Sequence, residues 1–154
     1  MRLGALTLLG LLAGAATAAA QAPARDLART ELAVAELRLE DAEAILEAFE
    51  YAWEHQVGDM EFPAPYGTDD FKFNVYMGAS GSGTPPMYGA AGYYTRDMRG
   101  WPYIVLSSET LWDLDYTRTT IAHEFFHALQ WATGAYSYSG VAAWYWEATA
   151  CWAA

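Results

Sequence analysis

Residues 119–130, Thr119-Thr120-Ile121-Ala122-His123-Glu124-Phe125-Phe126-His127-Ala128-Leu129-Gln130, hold two of the chain's three histidines, four residues apart. On an α-helix an i, i+4 pair lies about 40° apart around the axis, so both imidazoles leave one face toward one point. Two neutral imidazoles placed in this way can share a divalent metal. Glu124 lies about 100° round from His123, poorly placed to ligate the same ion but able to reach a water bound there. The pattern points to a metal-activated hydrolase rather than to an ordinary core helix with two satisfied histidines. The flanks support the helix. Ile121, Phe125 and Leu129 repeat at helical spacing, Ala122 and Ala128 allow close packing, and neither glycine nor proline occurs from 117 to 133.

A third ligand has few sources. Beyond His127 there is no histidine and no aspartate, and Glu147 is the only carboxylate side chain. A third histidine six residues after the second, as metzincin-type sites require, would fall on Thr133. The downstream choices are therefore Glu147 and Cys151. Glu147 sits in Trp144-Tyr145-Trp146-Glu147-Ala148-Thr149-Ala150, a glycine-free apolar run that reads as a second helix after the Gly134 to Gly140 connection. A carboxylate among Trp and Ala is costly to bury unless something neutralises it, and a metal would do so. The plain alternative is a partly exposed glutamate at the rim of an aromatic helix.

Upstream, Ala42, Ile45, Leu46, Phe49, Trp53 and Val57 fall at helical spacing with Glu43, Glu47, Glu50 and Glu54 elsewhere, so 41–57 reads as an amphipathic helix ending near Gly58. His55 falls at its polar end, where the helix dipole accounts for it. Phe71, Phe73, Val75 and Met77 alternate along a half-buried strand, and a glycine-, serine- and proline-rich loop from 78 to 92 precedes a short strand around Tyr93-Tyr94. Asp69 and Asp70 read as a solvated turn rather than a calcium site. Trp101-Pro102 breaks the chain before Tyr103-Ile104-Val105-Leu106-Ser107-Ser108, a strand whose place just ahead of the histidine helix suits either a substrate-pairing edge or an ordinary internal strand. Asp113 and Asp115 read as turn or capping residues. Helices and strands so mixed define an α+β class, with a small twisted sheet packed on helices.

The chain opens with Met1-Arg2, runs through Leu, Ala and Gly, and reaches Ala18-Ala19-Ala20-Gln21. A basic tip, an apolar stretch and small residues at a cleavage point define a secretory signal peptide, residues 1–20, and imply a secreted or periplasmic protein. Residues 21–40 read as a post-signal segment and 41–154 as one domain. The net charge of −11 argues against nucleic-acid or anionic-membrane partners. A single cysteine allows no internal disulfide, and Cys151 reads as a small apolar packing residue. The run Cys151-Trp152-Ala153-Ala154 lacks a glycine or asparagine cap, which suggests that the domain's C-terminal part is missing.

The H-E-x-x-H of 123–127, followed after nineteen residues by the glutamate of W-E-A-T-A, resembles the gluzincin zinc metallopeptidases. More narrowly, the "AHEFFHALQ" run with the upstream "YIVLSSE" strand is similar to a group of secreted bacterial proteins assigned as metallopeptidases. The resemblance covers about 45 to 152, with its specific part from 121 to 150. It implies a zincin-like subdomain, one zinc ion on His123, His127 and Glu147, Glu124 as general base, and a peptide or protein substrate. Some gluzincins carry an aspartate four residues after the ligand glutamate to orient the first histidine. That position is Cys151, so the support of His123 is left unassigned. A rival expectation is a secreted, non-catalytic zinc- or ligand-binding module, favoured by the seven Trp and eleven Tyr that suit flat contact surfaces.

Overall fold

The computed structural model describes residues 39–78, 80, 83–135 and 142–154, with side chains described from 41 onward. The expected signal peptide, nearly all of the 21–40 segment and most of the 134–140 connection lie outside the described residues. In chain order the elements are helix α1 (Leu39–Trp53), strand β1 (Asn74–Gly78), strand β2 (Gly92–Arg96), strand β3 (Pro102–Ser107), helix α2 (Leu114–Ala132) and helix α3 (Ala143–Ala153). This is the α+β class. Among the described residues no helix is long and apolar enough to cross a membrane.

The amphipathic pattern of α1 does what its spacing requires: Ile45, Phe49 and Ala52 are buried against α2. Phe125 is the centre of that contact, meeting the rings of Phe49, Trp53 and Phe73 at 6.3, 5.4 and 5.5 Å. Beyond Trp53 the helix widens into a π-helical turn, Glu54–Asp59. The wider turn accommodates a fully buried Gln56, whose amide donates to the carbonyls of Ala122 and Ala153, each at 3.0 Å. One side chain from α1's extension thus ties α2 to α3. His55 stands beside Asp59 at 3.6 Å and stacks on Tyr51, away from the other histidines.

The sheet has the order β1-β3-β2, with β3 parallel to β1 and antiparallel to β2. Val75, Met77, Ile104 and Leu106 point to the helices and are buried. One open reading is decided and one expectation corrected here. First, of the edge and internal places left open for it, β3 takes the internal one, its apolar run buried on both faces as a central strand's must be. Among the described residues, the edge next to α2 that no further strand covers belongs to β2. Second, the strand before it begins at Asn74, and Phe71 leaves the alternation to stand exposed, edge-on to Trp101 at 4.6 Å. The expected half-buried face therefore starts at Phe73.

Helix α2 starts at Leu114, ahead of the 119–130 stretch, because Asp113 caps it. Its carboxylate accepts from the Tyr116 backbone N–H at 3.0 Å. Asp113→Ala is expected to cost about 1 kcal/mol, read as a lowered urea midpoint with an unchanged slope. Ile121, Phe125, Phe126, Ala128 and Leu129 form its buried face. The opposite stripe, with His123, Glu124 and His127, looks toward β2 and α3.

Candidate metal centre

His123 and His127 project from successive turns of α2 with ring centroids 4.8 Å apart and planes perpendicular. From α3, Glu147 Oε2 reaches His123 Nε2 at 3.2 Å and His127 Nε2 at 3.6 Å. A tetrahedral zinc with bonds near 2.0–2.1 Å separates its ligand atoms by about 3.3 Å, close to both distances. Among the described residues these three form a convergent group, with all ligand atoms within 4.8 Å of one another. Two imidazole nitrogens and one carboxylate oxygen suit zinc, and they leave a coordination position open. Asp69 and Asp70 lie in an exposed turn outside this group.

The carboxylate needed a helix placed with some care, and the burial pattern explains how α3 is held. Ala150 and Ala153 are buried in the core, so α3 packs closely there, while the Glu147 side chain stays 44% exposed. Gln130 supplies the polar attachment. Its amide donates to the Trp146 carbonyl at 2.9 Å and to Thr149 Oγ1 at 2.8 Å, and its Oε1 lies 2.7 Å from His127 Nδ1. The two donor contacts orient the amide, so Oε1 accepts a hydrogen bond from Nδ1–H and the lone pair of His127 is left on Nε2, facing Glu147. One buried side chain thereby sets a histidine tautomer and the seat of the opposing helix together.

Sequence reasoning overlooked Gln130, although its place one turn after His127 and its paired donor and acceptor could have marked it. Gln130→Met is expected to weaken metal affinity about 10- to 100-fold, with Gln130→Glu recovering part of the loss by keeping the acceptor. Competition against a chromophoric chelator measures both.

Cys151 is corrected from its expected role. It is exposed rather than packed in the core, and its Sγ stands 3.6 Å from His123 Nδ1, one turn along α3 from Glu147. The thiol therefore occupies the side of the imidazole opposite the carboxylate and lies outside the convergent ligand group.

Glu124 stands apart from that group, as its angle on the helix requires. Its Oε2 accepts from the Tyr94 backbone N–H at 2.8 Å. Ser107 N–H bonds to Ala91 O at the end of the β2–β3 ladder, so residues 91, 93 and 95 face β3, and Tyr94 turns its N–H to the free edge. Burial raises the proton affinity of Glu124 above that of an ordinary carboxylate, against the opposing pull of His127 and the Tyr94 N–H. His123 moves the other way: burial, then its neighbour His127, lowers its pKa despite Glu147, which favours the neutral, metal-competent ring.

Residues 25–154 match the model of a family described as a family of unknown function, DUF6055, and the chain belongs to that family. No curated protein and no solved structure matches the chain.

Proposed function

We propose that this chain is an exported, gluzincin-type zinc metallopeptidase, with His123, His127 and Glu147 holding one zinc ion and Glu124 serving as general base. The observation that carries this reading is the division of labour among the polar side chains. Three donors converge, and the one remaining carboxylate on the same helix face is half-buried beside them without joining them. A zinc ion bound there would acidify a coordinated water and polarise a peptide carbonyl. With Oε2 held by the Tyr94 N–H, Glu124 takes one proton of the attacking water on Oε1 and returns it to the leaving amine, a role helped by its raised proton affinity. The zincin-like subdomain is part of the same proposal, supported by the helix pair and the free β2 edge alongside it.

The substrate lies extended against β2, where the Tyr94 N–H is held by Glu124 and the outward backbone groups of Gly92 and Arg96 on either side can pair with a peptide without reading its side chains. Export is supported by the Met1–Ala20 pattern in the sequence. A non-catalytic zinc module would have no use for a half-buried Glu124 held by the Tyr94 N–H outside the ligand group, and a closed structural site would recruit a fourth protein ligand. Metal analysis of the purified protein, paired with digestion of an unfolded protein with and without chelator, tests the proposal. Stoichiometric zinc and chelator-sensitive cleavage are expected. Zinc without cleavage would leave the binding module as the better reading, and no zinc at all would end the peptidase reading and leave only a ligand-binding module that needs no metal.

A further inference from the structure

Strand β2 lies along α2 in step with it. Gly92 sits so close to the helix that a Cβ there would stand 2.8 Å from Thr120 Cγ2. Two residues on, Tyr94 gives its N–H to Glu124 and sets its ring 6.5 Å from that of His127. Two further on, the Arg96 guanidinium lies 3.3 Å over the ring of Trp131, one helical turn beyond His127. Positions rise together on strand and helix, so the edge of β2 beside α2 ends at a guanidinium held flat on an indole.

That cation is available. Arg96 is exposed, and among the described residues no carboxylate pairs with it. Its neighbour Asp97 is engaged in the β2–β3 turn, where Oδ1 accepts from the N–H groups of Arg99 at 2.8 Å and Trp101 at 2.9 Å. With 19 acidic residues against 8 Lys and Arg, an arginine stacked here without an acidic partner is a departure from the chain's general balance. Stacking fixes the plane of the guanidinium while leaving its N–H rim free, a geometry that fits a carboxylate bidentately.

Resting on the peptidase reading, we infer that Arg96 on Trp131 is a subsite for an acidic side chain, so the enzyme favours peptides with Asp or Glu near the cleaved bond. Strand polarity gives the side. A substrate pairing antiparallel with β2, the more stable arrangement per residue, runs its N-terminal part toward Arg96. The acidic residue then stands about two positions N-terminal to the scissile bond, the spacing from Tyr94 to Arg96 along the strand.

The test uses three peptides differing only at that position, carrying Glu, Gln or Lys. The unaltered chain is expected to show kcat/KM higher for Glu than for Lys by about tenfold, the size of one charge-assisted contact. Arg96→Lys should keep the preference, and Arg96→Glu should reverse it. Calorimetric binding of the same peptides to the Glu124→Gln protein should follow the same order without turnover. Equal loss on all three peptides in Arg96→Glu would make the arginine a packing residue and overturn the inference. Cleavage with no charge preference would overturn it alone, whereas absence of both zinc and cleavage would remove the peptidase reading beneath it.

Discussion

Glu124→Gln is expected to keep its zinc and lose turnover by about a hundredfold to ten-thousandfold, the range for a missing general base. The substitution is nearly isosteric, and the amide oxygen can still accept from the Tyr94 N–H that holds Glu124 at 2.8 Å. Folding and the position of β2 should therefore survive. Metal content should survive too, because Glu124 lies outside the group formed by His123, His127 and Glu147. An amide cannot take a proton from the attacking water, so the loss should fall on kcat with KM little changed. Measuring zinc by mass spectrometry beside kcat on one peptide separates the roles. Undiminished kcat in the variant would eliminate Glu124 as the base, and lost zinc would place it among the ligands.

The second large effect concerns metal and stability. Zinc at about a hundred times its dissociation constant is expected to stabilise the folded chain by about 2.7 kcal/mol, which for a domain of this size raises Tm by about 10 °C. Chelator should reverse the rise. Glu147→Ala should abolish most of it while leaving the metal-free Tm close to that of the parent, since the Glu147 side chain is 44% exposed and contributes little to the core. Calorimetry of both proteins with and without zinc makes the comparison. The same zinc-induced rise in Glu147→Ala as in the parent would show that the third ligand lies elsewhere.

These experiments matter because the parts of the site were not equally legible. His123, Glu124 and His127 follow from helical geometry alone: once 119–130 is a helix, covalent spacing puts two imidazoles on one stripe and the carboxylate beside them. The cap at Asp113 and the buried stripe of α1 were readable for the same reason, since each depends on residues within a few positions of one another. Glu147 was readable as the one downstream carboxylate, though its approach to both rings depends on how α3 is seated.

Contacts between distant segments were another matter. The strand 102–107 could stand at an edge or inside, because an apolar run fits either until its neighbours are known. It is internal, and the free edge passes to β2, whose short Gly-Tyr-Tyr-Thr-Arg sequence announces no such role. Phe71 continues the alternation on paper yet leaves the sheet for Trp101. Cys151 looked like core filler and instead stands beside His123 Nδ1, because the seating of α3 turns the Glu147 and Cys151 face together toward the histidines. Gln130 and Gln56 join helices through hydrogen bonds that span 16 to 97 residues of chain.

By itself, then, the sequence determined the helix, its two imidazoles, its carboxylate and the likeness to a zinc site, all consequences of local geometry and residue chemistry. The tertiary structure alone decided which strand is open beside that helix, which amide orients His127, and what faces the far nitrogen of His123. Those outcomes depend on buried polar groups finding partners across the fold, and a hydrogen bond between remote segments leaves no period or spacing in the sequence from which to read it.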